Sequence, residues 1–135
     1  MKTTGWCASA LAAIASSAAG ACVPDLPGGG RTLEAGRYTL MYRAEPAKIP
    51  MGQHFSLEMA VCANAGAPVP ESVGVDAQMP EHRHGMNYKA SIKPAAGGRY
   101  RADGLMFHMP GRWEIIFEVR AAGRTDRVTQ TEVIE

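Results

Sequence analysis

Apolar and polar residues alternate along most of the chain from residue 37 to the C-terminus. In HFSLEMAVC (54–62) every second side chain is a large apolar one, and RWEIIFEVR (112–120) repeats the pattern. A period of two is typical of a strand with one buried face. About seven such segments, separated by Gly- and Pro-rich turns and with no amphipathic helix between them, predict an all-β fold. We expect an Ig-like β-sandwich over residues 37–135.

The N-terminal segment has a different character. Lys2 precedes a run of small and apolar residues that is too short and too rich in Ala and Ser to span a membrane. The run ends in the A-x-A cleavage pattern AGA (19–21). We therefore predict a cleavable signal peptide over residues 1–21 and a periplasmic or secreted mature chain without a transmembrane segment. Residues 22–36 are rich in Pro and Gly, which predicts a flexible lead-in.

Removal of the leader would leave two cysteines, Cys22 and Cys62. Disulfides form and persist in exported proteins, so we expect these two to be bonded. The bond would close a loop of roughly 40 residues and contribute about 3–4 kcal/mol to stability. Two alternatives stay open at this point. Cys22, as the first mature residue, could carry a lipid anchor with Cys62 free, or the thiolates could bind a metal ion.

Charge and motif content exclude several classes of function. Without Lys2 the chain keeps thirteen of its fourteen basic residues, which equals its thirteen acidic residues. A balanced charge gives no electrostatic reason to bind nucleic acid or an anionic membrane. The sequence contains no G-x-S-x-G elbow or other recognisable catalytic motif. We therefore predict that the protein is not an enzyme.

Two short segments combine histidine, methionine and proline: MPEHRHGM (79–86) and MFHMPGRW (106–113). Thioether sulfur is a soft ligand and imidazole a borderline one, so together they suit copper. Calcium and magnesium need oxygen ligands, of which these segments offer little. The candidate ligands are three side chains at alternate positions of the first segment, its leading methionine, and two from the second: His82, His84, Met86, Met79, His108 and Met109.

The same segments also contain turn signals. Proline 80 should end a strand after Met79, and Gly85 should bend the loop so that Met86 returns toward His84. MPGR (109–112) has the proline and glycine placement of a type II turn, which predicts a hairpin tip carrying His108 and Met109. On this alternative interpretation Met79 is a packing residue in phase with the valines at 73 and 75, and the histidines are solvent-exposed.

VDAQMPEHRHGMNY (75–88) and GRYRADGLMFHMPGRWEIIFEV (98–119) together resemble the family of small exported Ig-like domains typified by YtkA-like and FixH-like proteins. The resemblance covers most of the mature chain. His84, Met86 and Met109 fall on the family pattern, Met79 stands at its start, and His82 and His108 lie beside it. The resemblance implies a sandwich outside the cytoplasmic membrane, copper handling, and an envelope copper-handling protein or a respiratory-oxidase maturation factor as partner.

Two functions follow as hypotheses. The first is an exported copper-binding protein (a chaperone, buffer or resistance factor) that uses His and Met ligands on loops at one end of the sandwich. The alternative is a metal-free Ig-like module that contacts a partner in the cell envelope. Saturable copper binding would distinguish the two.

Overall fold

Nine β-strands and no helix make up residues 21–135, the part of the chain that this computed structural model describes. The strands form two antiparallel sheets, which confirms the predicted all-β sandwich. Sheet A has the order β1-β2-β3-β7-β6 and sheet B the order β5-β4-β8-β9. The strand bounds are β1 Arg31–Ala35, β2 Tyr38–Glu45, β3 His54–Ala63, β4 Ser72–Met79, β5 His84–Gly85, β6 Ser91–Ala95, β7 Arg99–Met106, β8 Gly111–Ala121 and β9 Arg124–Ile134.

The core lies between the inward faces of the two sheets, with β3 and β8 at the centre of each. The apolar positions of both strands follow the predicted alternation and are buried. Most of the remaining core residues come from β2 and β7 of sheet A and from β4 of sheet B. The largest fully buried side chains are Trp113, Tyr38, Phe107, Phe117, Leu40, Leu57, Met59, Met79, Leu105, Ile115 and Val119.

The N-terminal segment 22–36 is structured, so the expectation of a flexible lead-in is wrong. Its last part forms β1, which pairs with β2, and Leu26 is buried. A Cβ added to Gly30 would lie 2.4 Å from the carbonyl oxygen of Tyr42. A glycine is therefore required at position 30, because the backbone of Tyr42 leaves no room for a side chain. The sequence alone does not distinguish such a glycine from one in a flexible segment. The predicted signal peptide lies outside the described residues except for Ala21.

The predicted disulfide between Cys22 and Cys62 is present and closes a sequence separation of 40 residues. The backbone N–H of Cys22 also donates to the side-chain oxygen of Asn64, at 3.1 Å. These contacts attach the N-terminal segment to the end of β3. A sulfur atom in a disulfide has no thiol for a lipid thioether and no thiolate for a metal ion, so both alternatives would require the bond to be absent.

No helix within residues 21–135 is long and apolar enough to cross a membrane.

The connection between β7 and β8 passes from one sheet to the other. β7 pairs with β3 and β6, whereas β8 pairs with β4 and β9. The predicted hairpin tip at residues 109–112 is therefore wrong. Gly111 does adopt a positive φ of 126°, but the bend redirects the chain between sheets instead of folding it back within one. Local turn chemistry indicates a change of direction and carries no information on which strand becomes the neighbour.

A buried ion pair joins the two sheets at the end that carries the disulfide. Arg37, in the β1–β2 turn, donates from Nε to Asp126 at the start of β9, at 2.8 Å. Arg124 pairs with the other carboxylate oxygen of Asp126 at 3.0 Å. Burial opposes ionisation of Asp126, but the hydrogen bonds from Arg37 and the charge of Arg124 outweigh it, and the pKa of Asp126 lies below its ordinary value.

Replacement of Asp126 by Asn should lower the free energy of unfolding at neutral pH by about 1–3 kcal/mol, because it leaves buried donors of Arg37 without a charged acceptor. The folded-state pKa is the lower one, so this stabilisation is present above the ordinary value of 3.8 and is lost as pH falls below it. Urea denaturation at a series of pH values should show the two free energies of unfolding converging as pH falls below 3.8.

The exposed pair of Asp25 with Arg99 supplies the control. Asp25→Asn should cost no more than about 1 kcal/mol, as surface ion pairs do. If the difference in the free energy of unfolding between wild type and Asp126→Asn stayed constant down to pH 2, the Asp126 carboxylate would not be the stabilising group.

Candidate metal centre

Three connections meet at one end of the sandwich, which we call the histidine end. They are the β2–β3 connection (46–53), the β4–β5 turn (80–83) and the β7–β8 link (107–110). The backbone N–H of Gly52 donates to the carbonyl oxygen of Phe107 at 2.8 Å and ties the first connection to the third. Antiparallel pairing of β4 with β8 brings the second to the same place. Both His- and Met-containing segments therefore lie at this end.

The β4–β5 turn is tight and is closed by its own backbone. His82 N–H donates to the carbonyl oxygen of Met79 at 3.1 Å, and Arg83 N–H donates to that of Pro80 at 3.3 Å. Arg83 takes the left-handed conformation, with a φ of 54°. The bend is thus at Arg83, and the prediction that Gly85 provides it is wrong. Gly85 instead lies in β5, where an added Cβ would be 3.2 Å from the carbonyl oxygen of Ala77.

His84 points toward the interior of the histidine end. It is the cross-strand partner of Met79, whose side chain is fully buried, and directly paired residues place their side chains on the same face of a sheet. Its half-buried ring lies 5.8 Å from the Trp113 ring, centroid to centroid. Its Nδ1 is 3.1 Å from the carbonyl oxygen of Gly85. A carbonyl only accepts, so in the neutral ring this contact assigns the proton to Nδ1 and leaves Nε2 with a free lone pair.

His108 faces His84 from the β7–β8 link. The two ring centroids are 5.1 Å apart and the ring planes are inclined by 33°. The ring of His108 also packs edge-on against Trp113, with centroids 5.4 Å apart. Nδ1 of His108 is buried and has no hydrogen-bond partner, and it is the one buried side-chain nitrogen or oxygen of this kind within residues 21–135.

The three candidate methionines have different surroundings. Met86 and Met109 are partly buried and pack against the margin of the core. The Met109 carbonyl accepts a hydrogen bond from Nε1 of Trp113 at 3.0 Å. Met79 is fully buried, and its Cε lies only 2.8 Å from the position of a Cβ at Gly111. Met79 is therefore a packing residue, as the alternative interpretation of the sequence had it.

His82 is exposed on the β4–β5 turn, with its ring centroid 5.8 Å from that of His84. Its backbone is held in the turn, whereas no hydrogen bond constrains its ring among the described contacts. No three His, Cys, Asp or Glu side chains within residues 21–135 converge closely enough to hold one ion. The structure thus brings His84 and His108 together, places Met86 and Met109 at the margin of the same end, and leaves His82 outside.

Trp113 is the residue of this end that the sequence did not single out. The pattern predicted it only as a buried strand residue. Its indole stacks on Phe107, with centroids 4.6 Å apart and planes at 16°. The rings of His84 and His108 both lie edge-on to it. The Met-Pro-Gly-x-Trp spacing contained a signal for this role, since it places the indole N–H within reach of the Met109 carbonyl four residues earlier.

Carboxylates contribute little to the histidine end. Glu81 on the turn lies 4.0 Å from Arg112. The strongly perturbed carboxylate of the described chain is Asp103, on the outer face of sheet A. Hydrogen bonds from Ser56, Lys93 and Arg101 lower the pKa of Asp103 to about 2. Asp103 therefore lies apart from the histidine end.

A two-sheet sandwich with histidine- and methionine-bearing connections at one end defines the class of this protein. The chain belongs to the YtkA-like family, whose model matches residues 36–118. The crystal structure of a DUF4426 family protein from Pseudomonas aeruginosa PAO1 is similar to this chain, with 15% identity, a TM-score of 0.47, and coverage of 77% of this chain and 96% of that one. A comparison with curated proteins found no match.

Replacement of His108 by Leu should leave the metal-free protein as stable as wild type or more stable. The substitution removes a buried nitrogen without a partner and keeps a side chain of similar volume, which is nearly neutral or stabilising for such groups. Thermal unfolding in the presence of a chelator measures this. A lowered Tm, by contrast, would indicate that His108 is held by interactions that serve the fold.

Proposed function

We propose that the protein is an exported copper-binding protein that holds one Cu(I) ion at the histidine end. His84 and His108 supply imidazole nitrogens, and Met86 or Met109 supplies a thioether. The observation that carries the proposal is the buried, unpartnered Nδ1 of His108 beside the ring of His84.

The unpartnered nitrogen is costly to the fold unless something binds it. A buried polar atom without a hydrogen bond costs about 1–3 kcal/mol. Exchange of His108 for an apolar residue would avoid that cost, and the neighbouring Phe107 and Met109 are apolar already. In the tautomer with its proton on Nε2, Nδ1 has a free lone pair, and a metal ion is a partner that such a nitrogen suits.

The donor set favours Cu(I) over other ions. Two imidazoles that bind one metal ion each place a nitrogen about 2.0–2.1 Å from it. The rings of His84 and His108 are close enough for side-chain rotation to reach this geometry. A thioether as third donor selects a soft ion. Zinc sites in proteins use Cys, His or carboxylate ligands, and calcium and magnesium sites use oxygen. The disulfide removes both mature cysteines from competition for the metal.

The surroundings of the ligands support exchange of metal in preference to catalysis. His84 and His108 are half-buried, on a two-residue strand and a short link at the edge of the fold. Ligands in such positions can be reached by a partner protein without unfolding of the core. The protein would then serve as a copper chaperone, buffer or resistance factor in the periplasm or outside the cell. Its partner would be an envelope copper-handling protein or a respiratory-oxidase maturation factor.

A metal-free envelope interaction module is the second candidate. The observation that favours it is the open edge of β4. Within residues 21–135, β5 pairs only with Gln78 and Met79, so residues 72–76 present an unpaired edge on that side. An unpaired strand edge can accept an extended peptide from a partner. This candidate requires that copper leave the thermal stability unchanged.

Titration with Cu(I) against a competing chelator tests the first candidate. Ascorbate, which keeps copper reduced, should replace thiol reductants so that the disulfide survives. The full chain should carry Trp6→Phe and Cys7→Ser, which leaves Trp113 as the one tryptophan and removes the remaining thiol. We expect one equivalent bound. Substitution of either His84 or His108 by Ala should weaken Cu(I) binding by more than the roughly 10–100-fold that is typical of changes to residues behind the metal ligands.

Three further variants make the result specific. Met86→Leu and Met109→Leu identify the thioether ligand, because only one of them should weaken binding as strongly as a lost ligand does. Met79→Leu controls for core packing, and His54→Ala controls for a histidine at the same end that packs on Tyr88 instead of His84. Both controls should bind copper like wild type. Absence of saturable binding by the wild-type chain would refute the proposal.

A further inference from the structure

The three histidines of the histidine end form a series from solvent to the buried margin of the core. His82 is exposed, His84 is half-buried, and His108 carries the buried nitrogen. Successive ring centroids are 5.8 Å and 5.1 Å apart. The proposed ligand set uses the inner two rings and leaves His82 without a role. Its position next to His84 still makes it the first imidazole that an ion arriving from solvent meets.

A single donor atom is shared along the series. Nδ1 of His84 is engaged with the Gly85 carbonyl, so only Nε2 has a free lone pair. One lone pair binds one metal ion at a time. The pairs His82–His84 and His84–His108 therefore compete for the same nitrogen, and they cannot be filled by two ions together. The three rings do not form one convergent cluster in this arrangement.

We propose that His82 is a capture ligand: Cu(I) binds first between His82 and His84, then passes to His84, His108 and the thioether, and leaves by the reverse path. The inference rests on the proposed function and adds a second, transient position to its site. Neither step changes the oxidation state of the metal. His82 dissociates as His108 and the thioether bind, and Nε2 of His84 holds the ion throughout.

A capture ligand has a kinetic effect without a thermodynamic one. His82 is absent from the final complex, so its removal does not change the energy of that complex or of the free protein. It holds the ion close to the inner ligands and so raises their effective concentration during transfer. The rates of loading and unloading should therefore fall by the same factor when His82 is replaced, and Kd should stay constant.

Stopped-flow measurements on the full chain with Trp6→Phe and Cys7→Ser provide the test. Loading with Cu(I) is followed by the fluorescence of Trp113, whose ring contacts both inner histidines. Unloading is followed by the absorbance of a Cu(I) chelator added in excess. His82→Ala and His82→Gln should slow both processes by roughly tenfold and leave Kd within about twofold of wild type. His82→Met should restore the rates, because a thioether is also a donor for Cu(I).

Glu81→Ala is the matched control, an exposed side chain in the same turn, and should exchange copper at the wild-type rate. The turn itself is retained in all His82 variants, since its hydrogen bond to Met79 comes from the backbone. Unchanged rates in His82→Ala overturn the proposal. So does a rise in Kd comparable to that of His84→Ala, which would make His82 a resident ligand. Both outcomes leave the proposed function intact, whereas a wild-type chain that binds no Cu(I) refutes the two together.

Discussion

The stacking of Phe107 on Trp113 is the contact on which the histidine end depends. Phe107 begins the link between the sheets and Trp113 lies on the inner face of β8, with both side chains fully buried. Aromatic pairs of this kind contribute about 0.5–1.5 kcal/mol beyond the area they bury. The indole N–H also binds the carbonyl of Met109. The link is thus attached at both ends, and His108, between the attachments, is held against sheet B.

The proposed metal site and the main stabilising contacts lie at opposite ends of the sandwich. The disulfide and the buried Arg37–Asp126 pair lie at the end away from the histidines, where β3 finishes and β9 begins. The histidine end has no comparable covalent or ionic constraint among the described residues. Its inner rings rest on the aromatic stack, while His82 remains exposed. Under the proposed function, this arrangement would combine preorganised inner ligands, which lower the cost of binding, with an outer ring that is free to exchange.

The fold was predictable from the sequence where strands are central and amphipathic, as β3 and β8 show. Prediction failed where a residue type has two physical roles. Gly30 suggested a flexible segment and is required by close packing against Tyr42; Gly85 suggested a bend and lies in a strand. Histidine and methionine in two loops were visible as candidate ligands, but the sequence could not rank them. Burial separates Met79, a packing residue, from Met86 and Met109 at the margin.

Alternation of apolar residues by itself determined that the chain forms a sandwich, because one buried face per strand admits few other solutions. The two cysteines beyond the predicted leader favoured a disulfide and left lipidation and metal ligation open, and the structure decided for the bond. Only the tertiary structure decided that the β7–β8 connection crosses between sheets, since local turn chemistry does not specify a strand's neighbour. That crossing places His108 beside His84, which lies 24 positions earlier in the sequence. The two distant segments become adjacent because both sheets end at the same place.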